Sequence, residues 1–331
     1  NNVIRNHTTS GVYIDLTAAS NIVVGNLITN NGTDGVLING VDADGNRIVS
    51  NRITLHTYGV EIQDGDANVV TNNTIFYHWS AGVLMGNTAS SNRVLANSVA
   101  SNQSEGIWLN GFDARANLIA GNVVNGKGWQ QNGIRLDLGK RNTITNNAMK
   151  RNTISGIAVG NSAETNRIAK NAIFSNAGRG ISLTNGLVRA NNFVRNLIYA
   201  NTGPAVTTRT GEGNRFLNNV MYKNADGVKL HGGFSNEFIN NILLSNGTRG
   251  VTNFAPGTRW EFNDVFGHTR DYANTTALYI SNGNFSANPL FTNAVGTNFR
   301  LSGPAPLSPA VDMGITNGLT RFDPTPTQGF A

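Results

Sequence analysis

The sequence predicts an all-β protein wound as a single-stranded parallel β-helix of about eleven coils, with a cap at its C-terminal end. The first observation is a repeat of roughly two dozen residues, Asn-x-Ile/Val-x-x-Asn followed by Gly-Ile/Val-x-Leu/Ile, that recurs from Asn1 to Val251. The second is the pattern inside each copy. Apolar residues come in short alternating pairs, such as Val60 and Ile62 or Ile107 and Leu109, which is the period of a strand and not of a helix. The third is that a unit this short cannot bury its own apolar face, so neighbouring copies must stack and share one core. With coils about 4.8 Å apart, eleven make a rod on the order of 50 Å long.

Each part of the motif has a physical reason. The first asparagine column runs from Asn1 through Asn21 and Asn46 to Asn236, and the second from Asn6 through Asn26 and Asn51 to Asn241. A side-chain amide repeated in register donates to one neighbouring coil and accepts from the other, and Asn tolerates the left-handed backbone of a sharp corner. The glycine column runs from Gly11 to Gly250, with Ala205 replacing it once, and gives room where the chain enters the next strand. The coils are expected over residues 1–255, and residues 256–331 form the final coil and cap, with Trp260, Phe262, Phe291 and Phe299. Asn1 already sits at a coil position, so the first coil is expected to be uncapped. That predicts missing N-terminal sequence or a partner over this face, including end-to-end self-association.

The coil motif, together with the ending Asn288-Pro289-Leu290-Phe291, Asn298-Phe299-Arg300-Leu301 and Ser308-Pro309-Ala310-Val311-Asp312-Met313-Gly314, resembles the right-handed parallel β-helix superfamily. That superfamily holds pectate-lyase-like enzymes, alginate lyases, mannuronan C5-epimerases and non-catalytic periplasmic proteins. The resemblance implies a right-handed coil and a secreted bacterial protein, extracellular or at the cell surface, whose signal sequence is absent from this chain.

Composition narrows the classes. The 331 residues are 39% hydrophobic and 13% charged, enough for one elongated domain with a long core. No apolar run reaches membrane length. There is no cysteine, which excludes disulfides, thiolate metal sites and thiol nucleophiles. The net charge of +6 favours a polyanionic partner. No compact Lys/Arg cluster with interleaved aromatics is present, so acidic polysaccharide is the expected partner and nucleic acid is not.

One strand face concentrates chemistry. Residues one step off the core pair point outward in the column Tyr13, Leu37, Glu61, Leu84, Trp108, Arg135, Ala158, Ser182, Thr207, Lys229, Thr252, and two residues further along lie Gln63, Asp137, Arg209 and His231. Coils three to six gather Glu61, Gln63, Trp108, Arg135 and Asp137, and the adjoining loops add His56, Tyr58, His78, Trp79 and Lys140. Indole rings beside polar groups suit sugars, and an arginine suits a uronate carboxylate. Tyr58-Gly59-Val60-Glu61-Ile62-Gln63-Asp64 is similar to the catalytic stretch of mannuronan C5-epimerases, with Glu61 in place of the usual Asp and Gln63 in place of the His. The resemblance implies Tyr58 as acid or base, His56 or His78 as its partner, Arg135 as charge neutraliser, and Glu61, Gln63, Trp79, Trp108, Asp137 and Lys140 as substrate contacts. The reaction it implies is proton abstraction alpha to a uronate carboxylate, by a lyase or an epimerase. Arg209, Lys229 and His231 on coils nine and ten form a second region, similar to the Lys/Arg acid–base set of alginate-lyase-like enzymes.

Glu61 with Asp64 is the nearest carboxylate pair for glycoside hydrolysis, and strand alternation turns the two apart. No third ligand joins His56 and His78, so no metal site and no cofactor is expected, and Asp64 with Asp66 offers only a nonspecific calcium contact. The competing class is a non-catalytic structural or adhesive rod of the cell surface or an extracellular filament.

Overall fold

The computed structural model describes residues 1–273, 282–294, 298–301 and 308–310. All its regular elements are strands. They form three parallel sheets of twelve, twelve and eleven strands, in which every third strand in sequence is a neighbour in space. Sheet 1 runs from Val3–Arg5 to Asp264–Phe266, sheet 2 from Val12–Asp15 to Arg270–Ala273, and sheet 3 from Ile22–Val24 to Arg259–Glu261. A coil visits sheet 3, sheet 1 and sheet 2 in turn. The sheets continue past residue 255 into the segment expected to hold the final coil.

The core is a tube of apolar side chains, each strand contributing its inward positions. Ile48, Ile53, Val60 and Ile62 are all fully buried, and the same register is kept along the rod. In the later coils sheet 3 fills this tube with stacked rings: Phe193 on Phe216 at 4.4 Å, Phe216 on Phe238 at 4.5 Å, and Phe238 on Trp260 at 4.2 Å. Trp260, expected in the cap, is therefore a core residue. Phe299 is buried too, but on the outer face of sheet 1, against Tyr222 and Phe291 and beside Val220, Ile242 and Leu244. The antiparallel hairpin Phe291–Asn293 with Asn298–Leu301 thus lies on the flank of the rod. The rest of the expected cap, including residues 311–331, lies outside the described residues.

Three ladders of side-chain amides line the corners, where two were expected. One runs from Asn21 and Asn46 to Asn236, a second from Asn2, Asn26 and Asn51 through Asn263 to Asn284. At each rung a carboxamide oxygen accepts from the backbone N–H of the preceding coil's asparagine, at 2.9 Å from Asn97 N to Asn122 Oδ1. Asn2, not Asn1 or Asn6, heads the second ladder. Asn6 pairs with Asn30 on the surface. The third ladder runs from Asn31 through His56, His78, Asn102, Gln130 and Asn152 to Asn246 and His268.

The left-handed backbone falls one residue earlier than expected. Gly45, Ser50 and Leu55, with φ of 65°, 54° and 65°, precede the ladder residues Asn46, Asn51 and His56. The corner residue turns the chain, which leaves the ladder amide pointing inward.

The column glycines are required by close approach. A Cβ at Gly133 would lie 2.5 Å from the carbonyl oxygen of Gly156 and 2.8 Å from Met149 Cγ. Gly133→Ala should therefore lower unfolding stability by about 2–3 kcal/mol through coil separation, read as a shifted denaturation midpoint at unchanged far-ultraviolet signal. An unshifted midpoint would show that the stack has slack there.

Candidate functional site

Sheet 2 presents its outer face along the whole rod, and its register matches the expected column. Tyr13 stands beside Leu37, Leu37 beside Glu61, Glu61 beside Leu84, Leu84 beside Trp108, and Trp108 beside Arg135. The column continues through Ala158, Ser182 and Thr207 to Lys229 and Thr252. A further outward column precedes the glycine: Asp34 beside Tyr58, then, past the coil of Ala81, Glu105, Asn132, Ser155 and Arg179 in successive coils.

The first expected site divides into two groups. At Glu61, Gln63 Nε2 donates to Oε1 at 2.9 Å. The neighbour that sequence reasoning missed is Asp34, one coil back, a buried carboxyl that accepts from Ser10 Oγ at 2.9 Å and whose charge acts on Glu61. Burial first, and then the charge of Asp34, push Glu61 up to about 7, against the Gln63 hydrogen bond. Asp64 turns elsewhere and accepts from Thr88 Oγ1 at 2.9 Å.

Three coils further along, Arg135 is held from both sides. Its Nε donates to Asp137 Oδ2 at 2.6 Å and its Nη1 to Glu105 Oε1 at 3.2 Å. Trp108 Nε1 donates to the same Asp137 oxygen at 3.0 Å, and the guanidinium carbon sits 5.6 Å from the indole centroid. Glu105 and Asp137 are buried. Burial raises the Glu105 carboxyl above its usual range, with Asn132 and Arg135 pulling it down. One cation between two carboxylates has no charge left to neutralise a substrate carboxylate, which corrects the role expected of Arg135.

His56 and His78 are also corrected. Both lie inside the coil as rungs of the third ladder, stacked on each other at 5.4 Å and shut off from the face that carries Tyr58. Asn31 Nδ2 lies 3.1 Å from His56 Nε2, and the His56 backbone N–H donates to His78 Nδ1 at 3.3 Å. Their signal was legible: Asn31 stands five residues after Asn26, as His56 does after Asn51 and His78 after Asn73. Lys140 pairs with Glu164 at 2.9 Å on the corner between sheets 2 and 3, within a row of charges that includes Arg115 and Arg189. Trp79 is exposed at the corner between sheets 1 and 2, and Tyr58 is half-buried on the sheet 2 face.

The second expected region does come together. Arg179, Thr207, Arg209, Lys229 and His231, with Pro204, line an open cleft of about 400 Å³ on the same face. Among the described residues no ion pair engages Arg179, Arg209 or Lys229. Burial, and then the charges of Lys229, Arg209 and Arg179, hold His231 below its ordinary value, so its imidazole is neutral at pH 7. The cleft therefore offers unpaired cations beside a neutral base. Arg179 had no place in the sequence reading because it lies in the pre-glycine column, whose outward direction only the register reveals.

Known proteins agree with this architecture. A family model described as a right handed beta helix region matches residues 1–127 and 88–258. The chain belongs to this right-handed β-helix family. No curated protein matches it. Among solved structures it is similar to the Dettilon tailspike protein (TM-score 0.61, 13% identity, 90% of this chain and 63% of that one). It is also similar to the A-module of the Azotobacter vinelandii mannuronan C-5 epimerase AlgE4 (TM-score 0.57, 12% identity, 85% and 84%). A third is the periplasmic alginate epimerase AlgG (TM-score 0.53, 14% identity, 81% and 74%). The chain spans less than two thirds of the tailspike and 44% of a point-mutant structure of AlgG. At such identities the likeness is one of fold. Among the described residues no helix is long and apolar enough to cross a membrane.

Proposed function

We propose that this right-handed β-helix protein binds an acidic polysaccharide, and acts on it, along the outer face of sheet 2, with the sugar carboxylates seated in the Arg179, Arg209, Lys229 and His231 cleft. The observation that carries the reading is a concave site lined by cations without counter-ions, beside a histidine held neutral. Guanidinium groups recognise carboxylates in bidentate fashion, and pairing a uronate carboxylate lowers the barrier to removing the proton alpha to it. His231 accepts that C5 proton. In a lyase the C4–O bond then breaks as the C4–C5 double bond forms, and Lys229 returns a proton to the leaving oxygen. In an epimerase Lys229 returns the proton to C5 from the other side. Beta-helix neighbours named as alginate epimerases act in the same substrate class, and an extracellular or periplasmic site of action fits both them and the polyanionic substrate.

The test is calorimetric titration of oligouronates into the protein and the double variant Arg209→Ala/Lys229→Ala, with parallel readouts of unsaturated product by ultraviolet absorbance and of C5 exchange in deuterated water. The variant should lose about tenfold or more in affinity, and any turnover. Binding without either chemical signal would leave a carbohydrate-binding rod and remove the reaction. Equal binding of an oligonucleotide of matched charge, or none of any uronate, would overturn the assignment.

A further inference from the structure

The outer face of sheet 2 changes sign along the rod axis. Its first half carries Asp34, Glu61, Glu105 and Asp137, against which Arg135 is the cation in contact. Its second half carries Arg179, Arg209, Lys229 and His231, and the pre-glycine column continues through Asp226 to Arg249 and Arg270. Asp226 is the carboxylate interleaved there, and its Oδ1 accepts from the Arg249 backbone N–H. Between the halves the face is low: Ala158 and Gly160 follow Arg135 and Asp137 one coil on, and Ser182 follows Ala158. The boundary therefore falls in the coil of Ala158, immediately after Asp137.

Resting on the function proposed above, we infer that this face holds one end of an acidic chain: about five sugars over the basic coils, with the terminal ring stopped one coil short of Asp137. A pyranose ring in an extended chain is about as long as one coil rise, about 5 Å, so successive carboxylates fall on successive coils. From Arg179 to Arg270 each meets a basic coil. A sixth carboxylate would fall on the coil of Ala158, and a seventh and eighth over Asp137 and Glu105, where the local charge is one cation against two anions and like charges repel. The low floor at Ala158 and Gly160 leaves space for a ring there but supplies no partner for its carboxylate. The substrate class is thus the terminus of a polyuronate, or a short acidic oligosaccharide, and not the interior of a long chain.

The experiment is a length series of oligouronates, from two residues to eight, titrated into the wild-type protein, Asp137→Asn and Arg249→Ala. In the wild type, affinity should rise with each residue up to about five and then level. Asp137→Asn should move the plateau to longer chains, because the charge at the boundary is gone. Arg249→Ala should leave the plateau length unchanged and weaken the pentamer about fivefold, the effect of one exposed ion pair. Affinity that climbs steadily to eight residues in the wild type would overturn the end-recognition inference while leaving the polysaccharide assignment in place. An absence of binding at every length, in contrast, would overturn the assignment itself. A circular dichroism spectrum equal to the wild type's establishes that Asp137→Asn is folded, and a folded variant whose plateau does not move counts against the boundary.

Discussion

Replacing Asn122 by aspartate should cost the protein on the order of 4 kcal/mol, the largest effect expected of any near-isosteric change in this chain. Asn122 Oδ1 accepts from both the backbone N–H and the side-chain amide of Asn97, and its Nδ2 donates to Val94 O at 2.8 Å and to Asn147 Oδ1 at 2.9 Å. The aspartate keeps the first pair of contacts. It reverses the contacts of Nδ2, setting a buried carboxylate against the acceptor oxygens of Val94, Ala120 and Asn147. Burial and those oxygens must raise the pKa of the new carboxyl in the folded state above its unfolded value. The folded form then binds the extra proton, so the loss is complete at high pH and is recovered as pH falls through the raised value. Denaturation midpoints between neutral and acid pH check this. A loss independent of pH would mean that the damage is steric rather than ionic. The same change in the exposed pair Asn6–Asn30, outside the ladders, should move stability by no more than a few tenths of a kcal/mol.

The double variant His56→Asn/His78→Asn should be more stable than the wild type in acid, by up to several kcal/mol. Burial lowers His56 from 6.5 to about 4, and burial, with the neighbouring His56 charge, lowers His78 from 6.5 to about 3. The folded values are depressed, so the unfolded chain takes up protons that the folded one refuses. Stability contributed by the neutral rings is whole above pH 6.5 and drains away as pH falls from there towards about 4. Each ring accounts for a loss on the order of 3 kcal/mol over that window. Glu61 and Asp264 work in the opposite sense. Burial raises both to about 7, so the folded state gains stability from them as pH drops below that value. The variant keeps both carboxyls, so the difference between the two proteins isolates the histidines. Asparagine at both positions also closes the third ladder between Asn31 and Asn102 and removes His56 Nδ1, which is buried without a partner. Parallel acid-unfolding curves for the two proteins would refute this account.

The site was partly legible for a definite reason. A repeat in register carries outward residues as reliably as inward ones, and so Trp108 beside Arg135 and Thr207 beside Lys229 could be read from spacing alone. What spacing does not carry is the state of a side chain. Arg135 looked free because its two carboxylate partners lie one on its own strand and one a coil away, and only the fold brings Glu105 to 3.2 Å. His56 and His78 resemble catalytic histidines in the sequence because they interrupt the third asparagine column between Asn31 and Asn102. Once the column is traced, they are amide substitutes in a dry corner.

The sequence by itself determined the coil, the core residues and the outward columns that follow the glycine on sheet 2, because each follows from a period that recurs too often to be shifted by local accident. Tertiary structure alone decided which charges are spent and which are open. Glu61 is pushed up by burial beside Asp34, Arg135 is clamped by Glu105 and Asp137, and Arg179, Arg209, Lys229 and His231 remain unpaired around one cleft. The reason is that a carboxylate's partner is set by distances of a few ångströms across coils some two dozen residues apart, which the repeat fixes in register but leaves open in side-chain direction.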